Sequence, residues 1–238
     1  MHANNEIGTI QRVRELADIA HERGALFHTD AIQTVGHVPS HVADLGVDTL
    51  AMSAHKFEGP KGVGALFVKR GTRVRPRVVG GAQEFGKRAG TENVAGIVGL
   101  ATALQLAIDE LDDVRVTTAR LRDRLLDGAT RAIVATHVNG TRERRLPNNA
   151  SLRFEGCDAS AIMVALDVAG IEVSTGSACT SGSLEPSHVL TAIGLAPDVA
   201  RSSVRFSLGR TTKEADIDRV IAVLPGIVEK MRKVAAAT

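Results

Sequence analysis

Residues 48–68 read DTLAMSAHKFEGPKGVGALFV, and this stretch decides the fold class. Two short apolar runs, Asp48–Met52 and Gly64–Val68, flank a polar segment that holds Ser53, His55, Lys56, Gly59, Pro60 and Gly62. Short apolar runs bounded by turn residues predict buried strands. Toward the N-terminus, Ala25–His28 is a third such run, leading to Asp30. Before it, Arg12–Arg23 sets Val13, Leu16, Ala17 and Ala20 on one helical face, and Gly24 stops the helix. Short strands separated by a helix and glycine turns predict an α/β fold, a parallel or mixed sheet with helices on its faces. Ligands of such sheets bind just beyond the strand ends, where Asp30 and Ser53-Ala54-His55-Lys56 fall.

Toward the C-terminus the pattern changes. Gly80, Gly81, Gly86 and Gly90 share a loop with Lys87 and Arg88, followed by helical stretches over Glu92–Leu111 and Val114–Ala132. An α+β alternation comes next: strand Ser151–Phe154, helix Ala159–Val168, strand Ile171–Val173, a Ser/Gly/Thr-rich loop from Ser174 to Pro186, a helix from Ser187 and strand Val204–Leu208. The last helix opens on Thr211 and Glu214, spaced as a capping box. A boundary near Asp112 predicts two domains: residues 1–112, part of a large α/β domain, and residues 113–238, a smaller α+β domain that carries a cysteine loop.

Composition narrows the function classes. With 44% hydrophobic and 24% charged residues the chain has globular usage, so disorder and coiled coil are excluded. Lys+Arg minus Asp+Glu is 29 − 27 = +2, too balanced for a protein that works by neutralising nucleic-acid phosphates. Apolar runs such as Val94–Leu111 are interrupted by Gly, Gln or Asp, so no membrane span is expected. His2-Ala3-Asn4-Asn5-Glu6 follows Met1 directly, which does not read as a signal peptide. Cys157 and Cys179 are too few for a disulfide framework and suit a reducing compartment. The expectation is a soluble cytoplasmic protein without a resident metal. The polar cluster Asn4-Asn5-Glu6-Ile7-Gly8 stands where most domains carry a loose terminus, which predicts that further sequence precedes it in a complete protein.

Four residues could carry chemistry. Lys56 stands at a strand exit beside Ser53 and His55: it is either a solvated loop lysine or an amine that condenses with a carbonyl. Asp30 is either a helix N-cap or the counter-ion of a pyridinium nitrogen. A lysine with an acid partner is what pyridoxal phosphate demands, since a protonated ring becomes an electron sink. Gln33 either donates to that ring's phenolic oxygen or faces solvent, and His28 reads as a hydrogen-bonded core or supporting histidine. Cys179, in Ser174–Ser183, lies among small polar residues with no apolar periodicity, the setting of an exposed nucleophile rather than of a core thiol. Cys157 reads as a spectator. Arg205 interrupts the strand Val204–Leu208 and either pairs locally or clamps a carboxylate.

With these residues in view, the chain resembles the cysteine desulfurases of the NifS/IscS type, in the class V aminotransferase group of pyridoxal-phosphate enzymes. The strings that carry the resemblance are His2–Gly8, His28-Thr29-Asp30-Ala31, Ser53-Ala54-His55-Lys56 with Gly59-Pro60-Lys61-Gly62, Arg88–Asn93, Ser174–Ser187 and Val204–Arg210, in family order across nearly the whole chain. The resemblance implies the C-terminal part of a fold-type-I large domain, followed by the small domain. It implies that Lys56 holds pyridoxal 5'-phosphate covalently, that Asp30 pairs with the ring nitrogen, and that Gln33 and Asn5 contact the phenolic side or the substrate. Ser53 and His55 would bind the phosphate, and Thr91 would reach the phosphate of a partner subunit in a homodimer. Arg205 would hold the carboxylate of L-cysteine. Cys179 would take the sulfur and pass it to an iron–sulfur scaffold or another acceptor, meeting a cluster only in passing. Departures from the family are the N-terminal segment with its phosphate loop and ring-stacking histidine, expected before Met1, Ala82 in the glycine triplet Gly80-Gly81-Ala82, and Phe57-Glu58 after the lysine. The alternatives are a non-catalytic partner-binding module, and a selenocysteine lyase or other class V aminotransferase.

Overall fold

The structure is a computed structural model and describes residues 1–176 and 186–237. The chain divides into two compact units: Met1–His2 with Gln11–Asp112, and Ala3–Ile10 with Asp113–Thr238. A purely sequential division at residue 112 leaves Ala3–Ile10 with the first unit; their backbone pairing places them in the second.

In the first unit, helix α1 (Val13–Glu22) buries Val13 and Ala17. Strands β1 (His28–Asp30) and β2 (Thr49–Ser53) pair in parallel, with Asp30 opposite Ala51, and the short helix α2 (Val42–Leu45) lies between them in sequence. Strand β3 (Gly64–Val68) pairs antiparallel with β2, Ser53 opposite Gly64, giving a mixed sheet of order β1-β2-β3. A Cβ at Gly64 would meet the Met52 carbonyl oxygen at 2.6 Å, so only glycine lets the two strands close there. Helix α3 (Val94–Asp109) completes the core of Val13, Ala31, Val35, Leu45, Val47, Leu50, Ala54, Phe57 and Leu100. β1 begins three residues later than its apolar run. The Phe27 amide donates to Asp48 Oδ2 (2.8 Å) rather than to a neighbouring strand, and the Phe27 carbonyl accepts from Asp48 and Thr49. His21 Nε2 lies 2.7 Å from the same Asp48 oxygen. The Phe27 amide first, and then His21, hold the Asp48 carboxyl below its ordinary value.

The second unit is built on the antiparallel sheet β4-β5-β6 (Thr136–Val138, Asn149–Phe154, Ser203–Ser207). One face of β5 and β6 presents Ala150, Leu152, Phe154, Val204 and Phe206 to helices α4 (Leu111–Ala132), α5 (Ala159–Val168) and α8 (Glu214–Ala237). Helices α6 (His188–Ala192) and α7 (Pro197–Ala200) lie between α5 and β6 in sequence. The other sheet face is polar: Asn139 Nδ2 donates to Ser151 Oγ and Ser203 Oγ, each at 3.1 Å. Ala3–Ile10 form a hairpin, with Ala3 bridged to Ile10, that docks on the segment before β5 through Ile10 to Arg144 and Leu146 to Gly8 backbone bonds. Two expectations are corrected. Ile171–Val173 form no strand; the next residue, Ser174, makes a single bridge to Arg205. The cap of α8 lies two residues on from Thr211, where Asp216 Oδ2 accepts the Lys213 amide at 2.8 Å.

Candidate active site

In the first unit the parallel pairing of β1 and β2 points both C-terminal ends the same way, so Asp30 and Ser53 finish at one sheet edge. A 3-10 helix, Ala54–Phe57, leaves β2 at once. Its Ala54 and Phe57 enter the core, which turns His55 and Lys56 outward, both exposed. Ser53 Oγ and His55 Nδ1 are 2.8 Å apart, a bonded hydroxyl–imidazole pair. Glu58 (φ 65°) ends the 3-10 helix in a left-handed turn, and the Gly59 amide donates back to the Ala54 carbonyl at 2.9 Å.

Asp30 does cap local structure. Its Oδ1 accepts from the Ile32 amide at 2.9 Å and opens a helical turn over residues 31–35, with Thr34 and Val35 amides returning to the Ala31 carbonyl. Capping and pairing with a ligand are compatible for a carboxylate, which has a second oxygen. Gln33 is half-buried in this turn. The Asp30 carbonyl accepts the His2 amide at 2.6 Å. His28 is exposed rather than in the core, its Nδ1 2.8 Å from Thr49 Oγ1. Thr91 is exposed in the loop before α3, close to Asn93, whose side chain caps that helix.

Sequence reasoning missed His37. Its Nε2 lies 2.9 Å from the Lys56 carbonyl oxygen, and because a carbonyl only accepts, that nitrogen carries the proton. Burial pushes the His37 imidazole below its ordinary value, opposed by the Lys56 carbonyl and the Glu58 charge. His37 reaches Lys56 because Gly36 (φ +79°) turns the chain where a Cβ would meet Phe57 Cβ at 2.7 Å. A histidine after a glycine, 19 residues before a lysine, gives no periodic signal.

In the second unit Arg205 sits mid-strand on the polar face of β6, opposite Ser151. Its Nη1 donates to the Asn5 carbonyl at 3.0 Å, and Asn149 Nδ2 donates to the Asn5 and Glu6 carbonyls at 3.4 and 3.2 Å. Arg205 and Asn5, separated by 200 positions, are thus brought together. Cys179 lies outside the described residues; its described flanks end at Gly176 and resume at Pro186. Cys157 is buried, with Sγ 3.7 Å from the Val228 carbonyl, and burial pushes its thiol up, away from nucleophilic use. Among the described residues no group of three or more His, Cys, Asp or Glu is placed to hold a metal ion.

The donor set at the β1–β2 edge fits pyridoxal phosphate: an exposed amine, a carboxylate whose Oδ1 is fixed by a backbone amide, and an exposed hydroxyl–imidazole pair for an anionic group.

The aminotransferase class-V family pattern matches residues 1–220. The chain is 51% identical over 234 residues to a cysteine desulfurase IscS of Dictyoglomus turgidum, covering 98% of this chain and 59% of that protein. Among solved structures it is similar to a NifS-like protein from Rickettsia africae, at TM-score 0.85 and 32% identity over 96% of this chain and 60% of that one. It is also similar to SspA in complex with cysteine, at TM-score 0.69 and 33% identity over 87% and 57% of the two chains. The chain therefore spans about three-fifths of the length of the relatives it matches.

Proposed function

The chain belongs to the aminotransferase class-V family, and from that premise we propose that the whole protein is a pyridoxal-phosphate cysteine desulfurase. The observation that carries this reading is the single sheet edge where Asp30, Ser53, His55 and Lys56 gather. Identity of about half with a named cysteine desulfurase supports it, as does a thiol, Cys179, in a loop of small residues.

When bound, pyridoxal phosphate supplies an electron sink for bonds at the substrate's carbons. Lys56 provides the amine that anchors it, and His37 fixes the Lys56 backbone through its carbonyl. Asp30 keeps a proton on the ring nitrogen, and Gln33 and Asn5 serve the phenolic side or the substrate. Ser53 and His55 hold the phosphate, joined in a homodimer by Thr91 of the second copy. Arg205 receives the substrate carboxylate with a planar guanidinium suited to two parallel bonds. The Cys179 thiolate attacks the sulfur of L-cysteine: an S–S bond forms, the C–S bond breaks, and its electron pair stays with carbon, which takes up a proton. One cysteine and one enzyme thiol give one alanine and one persulfide, with no external oxidant. The persulfide sulfur then passes to an acceptor protein, in a cytoplasm that keeps Cys157 and Cys179 reduced.

The test is purified protein supplied with pyridoxal phosphate and L-cysteine. Alanine and sulfide should appear in equal amounts with a thiol reductant. Cys179→Ala should abolish sulfide release and leave the cofactor's visible absorption intact. Undiminished sulfide release from that variant, or a protein that stays colourless with the cofactor, would overturn the proposal.

A further inference from the structure

Asn149 has no part in the mechanism above, yet it and Arg145, which shortly precedes β5, are each only 4% exposed. A guanidinium withdrawn from water needs fixed acceptors for its donors. The four described bonds of Arg145 all go to uncharged oxygens. Nε donates to the Thr141 carbonyl at 2.8 Å, Nη2 to the Asn139 carbonyl, and Nη1 to the Asn149 carbonyl at 3.3 Å and to Asn149 Oδ1 at 3.0 Å. Burial, and then the Arg122 and Arg142 charges, pull the Arg145 guanidinium down to about 10, which leaves it protonated at neutral pH. Because it can only donate, the side-chain atom of Asn149 that faces it must be the oxygen.

That orientation decides what the other half of the amide does. Asn149 Nδ2 turns to the hairpin and donates to the Glu6 carbonyl at 3.2 Å and to the Asn5 carbonyl at 3.4 Å. The Asn5 carbonyl also accepts from Arg205 Nη1 at 3.0 Å, and a carbonyl oxygen has a lone pair for each donor. One oxygen is thus held from two sides, by an amide whose direction Arg145 dictates and by the guanidinium that receives the carboxylate. All four residues lie in the second unit. We propose that Asn149, oriented by Arg145, is a positioning residue for Arg205: it seats the Asn5 carbonyl on which the guanidinium rests and so sets how tightly the substrate's carboxylate is received. Its consequence for L-cysteine rests on the desulfurase reading; the chain of bonds from Arg145 through Asn149 and Asn5 to Arg205 does not.

The experiment compares the purified chain with Asn149→Asp and Asn149→Ser, each of which removes the Nδ2 donor. Asn149→Asp retains an acceptor for Arg145, so it reports even if Asn149→Ser unfolds. Leu152→Val, on the apolar face of the same strand, controls for lost stability alone. Without cofactor, nitrogen NMR reads the Arg205 Nη signals, which stay resolved while the bond to Asn5 slows rotation of the guanidinium. Both Asn149 variants should merge these signals and speed amide exchange over 6–8 about tenfold, the worth of one hydrogen bond. Leu152→Val should keep the signals apart. With pyridoxal phosphate added, spectral titration compares L-cysteine with cysteamine, the same aminothiol without its carboxylate. Both Asn149 variants should weaken L-cysteine binding about tenfold and cysteamine binding less than about twofold. Arg205 signals unchanged from wild type, or equal weakening of the two aminothiols, overturns the proposal; the second result makes Asn149 a structural residue only. If wild type binds both aminothiols alike, or neither, the desulfurase reading of Arg205 fails, and the Arg205 signals alone decide whether the positioning chain stands.

Discussion

The two units solve the burial problem differently. Among the described residues the second unit's main core contains nineteen buried members against nine in the first unit's. It has helices α4, α5 and α8 on one sheet face and a hydrogen-bonded polar layer on the other. Among the same described residues, the first unit leaves more large apolar side chains exposed, Leu16, Leu26, Leu66, Val94, Ile97, Val98 and Leu106 among them, than the second, where Val116, Val134, Val164, Val168, Ile193 and Val234 are exposed. The chemistry follows the same division. In the first unit Lys56 and His55 are turned outward on a 3-10 helix, whereas in the second Arg205 and Asn5 are held inside a polar network. A dense core can afford polar groups on its far side, because the strands that carry them are already fixed.

The strongest challenge to this contrast is Phe154→Ala. Phe154 is fully buried at the centre of the larger core, so the change should cost about 3–5 kcal/mol. In a urea titration followed by amide exchange, β4–β6 should lose protection first while His28–Asp30 keep theirs. Equal losses in both units would show that they unfold as one body and remove the contrast. Next in size is Asp48→Asn, which takes the charge from the group tying α1 to the start of β1 and β2. A buried, charge-assisted cluster of this kind is worth about 1.5–3 kcal/mol at pH 7. Because the Asp48 carboxyl is held below its ordinary 3.8, its stabilisation is present above that pH and fades as pH falls below it. Wild type should therefore lose first-unit stability on acidification below pH 3.8, and the variant should lose less. The smallest effect belongs to His37. Its value is lowered from 6.5 by burial, so the folded unit binds fewer protons than the unfolded chain once pH drops below 6.5. First-unit stability should decline through that window by at most about 1.4 kcal/mol per pH unit, and His37→Gln, which keeps a donor for the Lys56 carbonyl, should flatten the slope.

What the sequence revealed, and what it hid, tracks how local the determining contacts are. Gly64–Val68 and Ala159–Val168 are read with the bounds they adopt, because each is an apolar run closed by turn or capping residues. Asp158, for example, caps α5 by accepting the Ser160 amide at 2.7 Å. Asp30, Ser53, His55 and Lys56 are legible as candidates because strand ends and residue chemistry are both local properties. Thr136–Val138 was invisible: three residues around a histidine have no periodicity, and only pairing with Leu152–Phe154 makes them a strand. The shift of β1 away from Ala25 came from a side chain, Asp48, that captures the Phe27 amide across 21 positions. His37 and Asn149 were hidden for the same reason, since their meaning lies in backbone carbonyls far along the chain.

The hairpin Ala3–Ile10 carries one more consequence. Asn149 reaches Glu6 across 143 positions, with Gln11–Asp112 of the first unit strung between them. During synthesis the hairpin emerges well ahead of its dock, so the nascent chain holds these eight residues unpaired until Asn149, 143 positions after Glu6, has been made. Closing so long a span carries an entropic toll that shorter-range pairings escape. Asn5, whose carbonyl Arg205 grips from 200 positions away, therefore gains that bond only once β6 has been made.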